Sequence, residues 1–298
     1  MANTRGVFSL RTIVNKKILG DWVELNDVWL SPSPTVTGTP VPNTGYFGGG
    51  RTPVAASTMD KVTYSTDTTV EVPGAALSSA RNGFAATGNS EAGYFGGGFD
   101  GSNPTSTMDK VTYSTDTTAE VPGAALSAAR SQLGATGNST AGYFGGGDPT
   151  SSLMDKVTYS TDTTAAVPGA ALSVARQNLA ATGNSEAGYF GGGTPGPLST
   201  MDKVTYSTDT TAAVPGAALS ANRRGLAATG NSTAGYFGGG APAPFYSTMD
   251  KVTYSSDTTA ADPGAALSAA RYLLAASSAR ANALPETAVV TGPAPVII

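Results

Sequence analysis

A long internal repeat dominates this sequence and limits the folds that it can adopt. The string Gly-Tyr-Phe-Gly-Gly-Gly occurs five times, at intervals of 46 to 49 residues, and its tyrosines are Tyr46, Tyr94, Tyr143, Tyr189 and Tyr236. Each copy is followed by Met-Asp-Lys-Val-Thr-Tyr-Ser, which begins at Met59, Met108, Met154, Met201 and Met249. Such a period indicates one supersecondary unit repeated in an array or a ring.

Each unit is predicted to form four β-strands, as its fourth copy illustrates. We place these strands at 179–182, 188–191, 201–206 and 210–214. The third strand alternates with a period of two, Gly, Asn, Ser and Asp occupy the turns, and Pro215-Gly216 ends the unit. No stretch has convincing helical periodicity, so the sequence predicts an all-β fold.

The number and order of the strands indicate a β-propeller with five blades. The first repeat lacks the short strand that precedes Gly-Tyr-Phe in the others, whereas a spare one, 271–276, follows the last repeat. We therefore expect this C-terminal strand to complete the first blade and to remove both open edges of the ring.

Three recurring features resemble kelch repeats of the galactose-oxidase type. They are the glycines after Tyr-Phe, the tyrosine of the third strand and the arginine that opens the next unit, and the resemblance extends from Gly45 to Arg271. The chain departs from that pattern where kelch units usually carry a tryptophan, since it has Glu71, Glu120, Ala166, Ala213 and Ala261 there. The resemblance implies a kelch-like propeller.

The composition excludes several kinds of chemistry. The chain has no His and no Cys, so the commonest general base, the commonest zinc and copper ligands and thiolate chemistry are all missing. A galactose-oxidase-like copper site is therefore excluded, and we predict no metal, no cofactor and no catalytic residue. A net charge of −4 gives no general attraction to nucleic acid or anionic membranes.

The ends of the chain differ from the repeats. We divide it into an attachment segment at 1–30, a Pro/Thr-rich linker at 31–44, the propeller at 45–278 and a tail at 279–298. We expect no signal peptide and no transmembrane segment, because the first 44 residues lack a long apolar stretch. The attachment segment either packs under the propeller or binds other proteins or sister copies through Val7, Phe8, Leu10, Ile13, Trp22, Val23, Leu25, Val28 and Trp29.

The repeated charged residues are predicted to be structural. Each repeat has one aspartate beside a lysine in the third strand and one in the following turn. We expect the turn aspartate to cap its own backbone, and the Asp-Lys neighbours to lie on opposite faces of the strand. The arginines are expected to lie between blades and to bond backbone carbonyls; the alternative is a ring of cations that binds an anion. They are Arg81, Arg130, Arg176, Arg223 and Arg271.

The loop after each glycine triplet varies, whereas the strands around it barely change. These loops span 51–58, 99–107, 148–153, 194–200 and 241–248, and they occupy the same place in each unit. Variable loops on one face of a rigid scaffold are typical of a binding surface, although they are also explained by neutral insertions. The residues best suited to stack on or hydrogen-bond a sugar are Phe99, Asp100, Asn103, Phe245 and Tyr246.

The attachment segment and the near-identical repeats together resemble bacteriophage virion proteins, in particular tail- or fibre-associated structural proteins of phages that infect cyanobacteria. The resemblance implies a non-enzymatic structural or adhesion component of a virion, anchored by its N-terminal arm and presenting the propeller to host surface glycans. The alternatives are a head decoration or cement protein of the capsid, a carboxylate-based glycan-active enzyme on a propeller, and a cellular kelch-type adaptor.

Overall fold

The computed structural model describes residues 44–196 and 198–276, which form five antiparallel blades arranged as a β-propeller. The predicted all-β, five-bladed fold is therefore confirmed, and it is consistent with kelch-like repeats. Blade 1 consists of β1 (Thr44–Gly48), a hairpin of β2 (Arg51–Thr52) and β3 (Val54–Ala55), β4 (Met59–Thr63) and β5 (Thr68–Glu71). Blades 2 to 5 each have four strands, paired in chain order.

The four-stranded blades repeat the same lengths. Blade 2 contains β6 (Ala85–Gly88), β7 (Ala92–Gly96), β8 (Met108–Thr112) and β9 (Thr117–Glu120), and blade 3 contains β10 (Gly134–Gly137), β11 (Ala141–Gly145), β12 (Met154–Thr158) and β13 (Thr163–Ala166). Blade 4 contains β14 (Ala180–Gly183), β15 (Ala187–Gly191), β16 (Met201–Thr205) and β17 (Thr210–Ala213), and blade 5 contains β18 (Ala227–Gly230), β19 (Ala234–Gly238), β20 (Met249–Thr253) and β21 (Thr258–Ala261). A 3₁₀ turn follows each blade, at Pro73–Ala75, Pro122–Ala124, Pro168–Ala170, Pro215–Ala217 and Pro263–Ala265.

Each blade has two faces, and the alternation of side chains along its strands decides what each face carries. In blade 3, Tyr143 lies opposite Lys156, and Phe144 lies opposite Asp155. The tyrosine and lysine point towards the following blade, on what we call the back face. The phenylalanine and aspartate point the other way, on the front face.

The hydrophobic core lies between blades. One cluster joins Met154, Leu172 and Leu179 behind blade 3 to Phe190 and Val204 at the front of blade 4. Equivalent clusters join the other successive pairs of blades from 1 to 5. The stability of the array therefore depends on packing between neighbouring blades.

The second glycine of each triplet lets two blades approach closely. Gly192 has a φ of +71°, and a β-carbon there would lie 2.7 Å from the Arg223 carbonyl oxygen and 2.8 Å from Cδ2 of Leu226. Gly196, in the adjoining loop, has a φ of +63° and no atom within 4 Å of such a carbon. A non-glycine residue would therefore have a strained backbone at either position, but only at position 192 would its β-carbon also clash.

We expect Gly192→Ala to lower the free energy of unfolding by about 2 kcal/mol more than Gly196→Ala, because only the first adds a clash to the strain of a positive φ. Urea denaturation of both variants measures the difference. Equal losses would contradict the close approach.

The predicted closing strand is not found in the described part of the chain. Among residues 44–196 and 198–276, β1 has no ladder partner on its free edge, and residues 271–276 form no strand. The Leu273 N–H donates to the Gly225 carbonyl at 2.7 Å, just as the Gly225 N–H donates to the Asn178 carbonyl at the start of blade 5. By that equivalence the closing strand would span 275–278, and residues 277–278 lie outside the described residues.

The attachment segment at 1–30, with its predicted partner-binding residues, lies outside the described residues, as do the tail at 279–298 and the linker up to residue 43. Thr44, which we assigned to the linker, begins β1.

Candidate functional site

The variable loops join the second and third strands of their blades, so they emerge at the same end of every blade. Backbone hydrogen bonds fix their first residues, as in the bridge between Asn82 and Phe99 and that between Gln177 and Thr194. The N–H of the next repeated arginine fixes the other end, as when Arg130 donates to the Thr105 carbonyl at 3.0 Å. Backbone hydrogen bonds therefore hold both ends of these loops, and the residues between the two ends are the ones that a ligand could contact.

The loop of blade 2 holds three of the predicted ligand-binding residues. Phe99 is half-buried and exchanges both backbone hydrogen bonds with Asn82. Oδ1 of Asp100 accepts the N–H groups of Asn103, at 2.8 Å, and Ser102, at 2.7 Å, and these bonds lower the pKa of its carboxyl. Asp100 thus shapes the loop, while the exposed side chain of Asn103 is available to a ligand.

The loop of blade 5 forms an exposed aromatic pair. Phe245 is 42% exposed and stacks at a tilt on Tyr272, which is 45% exposed, with ring centroids 4.5 Å apart. Tyr246 is half-buried instead, and its ring centroid lies 5.8 Å from the Arg223 guanidinium carbon.

Sequence reasoning missed Tyr272, because it considered the loops alone. The signal was available: the positions equivalent to Tyr272 carry Asn82, Ser131, Gln177 and Arg224, none of them aromatic. The predicted ligand-binding residues therefore form two separate groups, one in the loop of blade 2 and one in the loop of blade 5.

The third-strand aspartates are buried in ion pairs. In blade 4, Arg176 and Asp202 are both fully buried, and Nη2 of the arginine lies 2.9 Å from Oδ2 of the aspartate. The same nitrogen donates to the Phe190 carbonyl at 2.9 Å, and the Ser173 N–H donates to Asp202 at 3.1 Å. Burial lowers the pKa of Arg176, and the charge of Asp202 opposes this. Equivalent pairs are Arg81 with Asp109, Arg130 with Asp155, and Arg223 with Asp250.

These contacts confirm that the arginines of blades 2 to 5 bond backbone carbonyls, as predicted. They contradict the alternative of an anion-binding ring in blades 2 to 5, because the side chains of Arg81, Arg130, Arg176 and Arg223 are at most 1% exposed. Arg271 is exposed and is the exception among the five.

The turn aspartates link successive blades. Asp209 of blade 4 has a φ of +53°, and its carboxylate accepts both the Lys156 ammonium of blade 3, at 2.8 and 2.9 Å, and the Tyr143 hydroxyl. The ring of Tyr143 also stacks on Tyr206, with centroids 4.8 Å apart. We call this group of lysine, tyrosine and aspartate the clamp. It corrects the prediction that the turn aspartate caps its own backbone, because the carboxylate is directed at the preceding blade.

The clamp shifts the pKa values of its members. Burial raises the pKa of Tyr143 far above its usual value, and the hydrogen bond to Asp209 raises it further. Burial also raises the pKa of Asp209, but the hydrogen bonds from Lys156 and Tyr143 outweigh it and leave the pKa below its usual value. The clamp recurs as Lys61, Tyr46 and Asp116; Lys110, Tyr94 and Asp162; and Lys203, Tyr189 and Asp257.

Within residues 44–196 and 198–276, no three His, Cys, Asp or Glu side chains are close enough to hold a metal ion. The same residues form no helix with the length and apolar character needed to cross a membrane. No known family model matches the chain, and no curated protein is similar to it in sequence.

Proposed function

We propose that the protein is a non-enzymatic structural or adhesion component of a bacteriophage particle. In this proposal the propeller is a binding scaffold, and its variable loops contact a carbohydrate. The observation that carries this proposal is where the repeats differ. The strands are nearly identical in all five, whereas the loops at one end of the blades differ in length and content. Variable loops on a rigid support are a common design for recognition.

The chemistry of the blade 5 loop favours a sugar. The exposed rings of Phe245 and Tyr272 form an apolar surface with a phenol hydroxyl at its edge. A pyranose ring has an apolar face bordered by hydroxyl groups, so it can pack on such a surface and hydrogen-bond at the rim.

The carboxylates of blades 2 to 5 argue against a glycan-active enzyme. A general acid and base need to reach the substrate. The third-strand aspartates are buried against arginines, as Asp202 is against Arg176, and the turn aspartates hold a lysine and a tyrosine of the preceding blade. Both sets therefore have structural partners.

The virion setting rests on sequence resemblance. The apolar segment at 1–30 resembles the attachment regions of phage virion proteins, and the repeats resemble those of tail- or fibre-associated proteins. In this proposal the segment holds the protein on the particle, and the propeller faces outward towards glycans of the host surface.

Glycan binding by the full-length chain tests the proposal. On an array of bacterial surface glycans, we expect Phe245→Ala to weaken binding about ten-fold or more, because it removes half of the exposed ring pair. Val70→Ala is the matched control, since Val70 is 55% exposed on β5, away from the loops. Absence of glycan binding, or binding that Phe245→Ala and Phe99→Ala leave unchanged, would refute it.

A further inference from the structure

Five equivalent residues are joined to one another by backbone hydrogen bonds. Each follows a repeated arginine by two positions and has a φ between +53° and +62°, and they are Gly83, Gln132, Asn178, Gly225 and Leu273. From the second onwards, the N–H of each donates to the carbonyl of the one before, at 2.5 to 2.8 Å. They therefore form one continuous line of residues across the repeats, which we call the linking row.

The linking row lies beside the variable loops. The residue before each of its members pairs with the first residue of a loop, as Gln177 does with Thr194 and Arg224 does with Ala241. The row also varies between repeats in the same way as the loops, because its five positions carry two glycines, two amides and a leucine. The variable surface therefore includes the row as well as the loops.

Two neighbouring members of the row form a polar pair, which we call the amide end. Nδ2 of Asn178 donates to Oε1 of Gln132 at 2.7 Å, and the Gln132 side chain is exposed. Within residues 44–196 and 198–276, the Asn178 Oδ1 acceptor and the Gln132 Nε2 donors have no other hydrogen-bond partner. The pair therefore offers a donor beside an acceptor. Two adjacent sugar hydroxyls can satisfy both, because a hydroxyl both donates and accepts.

The last member of the row continues the exposed aromatic pair. Leu273 is 70% exposed and directly follows Tyr272, which stacks on Phe245. We call these three side chains the apolar end. A β-carbon at Gly225 would lie 3.3 Å from Cδ2 of Leu273 and 3.6 Å from Cδ2 of Tyr272, so both side chains border the space above this glycine. Gly225 is the row member between Leu273 and Asn178, and it has no side chain to separate the two ends.

We propose that the apolar end and the amide end are two subsites for one oligosaccharide. One pyranose unit packs its apolar face on the rings and leucine of the apolar end. Two adjacent hydroxyls of a neighbouring unit bond the amide end, and the glycan passes over Gly225 between them. The inference rests on the proposed carbohydrate binding and adds the length of the ligand. A single sugar occupies the apolar end alone, whereas a linked second sugar gains the amide contacts at little further entropic cost.

The repeats themselves show which substitutions the row accepts. Glycine occupies the row at Gly83, so the double variant Gln132→Gly/Asn178→Gly removes the amide end at positions whose positive φ suits glycine. Glutamine occupies the row at position 132, so Gly225→Gln fills the space between the two ends with a side chain that the same backbone already carries. Ser139→Gln is the matched control, because Ser139 is exposed in the turn between β10 and β11, at the opposite end of blade 3.

Calorimetric titration of the full-length chain measures the effects. The probes are the glycan that binds best on an array of bacterial surface glycans and the methyl glycosides of each of its sugars. We expect the wild type to bind the oligosaccharide at least ten-fold more tightly than any of these glycosides. The double variant and Gly225→Gln should each lose at least ten-fold in affinity for the oligosaccharide. The double variant should bind the best methyl glycoside within about three-fold of the wild type, and Ser139→Gln should bind both probes as the wild type does.

The outcomes separate this inference from the proposed function. If Phe245→Ala weakens glycan binding while the double variant and Gly225→Gln bind the oligosaccharide normally, the two-subsite site is overturned and carbohydrate binding stands. A methyl glycoside that binds as tightly as the oligosaccharide overturns it in the same way. Absence of binding to every glycan on the array overturns both. Circular dichroism of each variant verifies that a loss of binding is not a loss of folding.

Discussion

Replacing Arg176 with methionine is expected to lower the free energy of unfolding by about 3–5 kcal/mol, because it leaves the buried carboxylate of Asp202 without a counter-charge. Both side chains are fully buried, and the arginine also bonds the Phe190 carbonyl. After the substitution, the Ser173 N–H is the hydrogen-bond donor that remains to Asp202. Urea denaturation followed by circular dichroism measures the loss.

The repeat supplies its own control. Arg271 occupies the equivalent place after blade 5, where it is exposed, and Arg271→Met should change the stability by less than about 0.5 kcal/mol. Adding Asp202→Asn to Arg176→Met should recover about 2 kcal/mol, because it removes the unpaired charge and keeps an acceptor for Ser173. A loss below about 1 kcal/mol for Arg176→Met, or an equal loss for Arg271→Met, would show that the buried pair is not what stabilises the blade.

The strands were predictable from the sequence because their signals are local. The alternation in Met-Asp-Lys-Val-Thr and the turn residues beside it placed the third strand of blade 4 at 201–206, and the structure has Met201–Thr205. The first strand, expected at 179–182, is Ala180–Gly183. The five-bladed arrangement followed from counting the repeats.

The partners of the charged residues were not predictable, because they come from different repeats. Lys156 and Asp209 are 53 positions apart. Periodicity establishes that all such lysines are equivalent, but it does not say which neighbouring blade each one faces. The sequence thus identified the aspartates and arginines as structural, while the clamp and the buried pair emerged only with the packing.

The geometry between blades was not predictable for a related reason. The rotation from one blade to the next is set by side chains such as Phe144 and Tyr206 that pack between blades, and no single repeat encodes it. In the blade 5 loop, Phe245 is exposed, whereas its stacking partner Tyr272 lies outside the loops.

The buried tyrosines predict a steep loss of stability in alkali. Burial raises the pKa of Tyr143, Tyr189 and Tyr206 well above the value of about 10 that a tyrosine has in an unfolded chain. A pKa that is raised in the folded state contributes stability that is complete below pH 10 and is lost as the pH rises further, because only the unfolded chain then releases the proton. Each such tyrosine contributes about 1.4 kcal/mol per pH unit, so these three together contribute about 4 kcal/mol per unit.

The free energy of unfolding, measured in urea at a series of pH values from 8 to 11, should therefore be nearly flat below about pH 10 and fall steeply above it. The tyrosinate absorbance of Tyr143, Tyr189 and Tyr206 should appear together with unfolding rather than before it. Tyr143→Phe is expected to destabilise the protein at pH 8, because Asp209 loses a hydrogen bond, but to make the alkaline slope shallower by about one proton. Tyr272→Phe, at an exposed ring, should leave the free energy of unfolding at pH 8 nearly unchanged. An alkaline slope that Tyr143→Phe leaves unchanged would contradict the burial of this hydroxyl between blades.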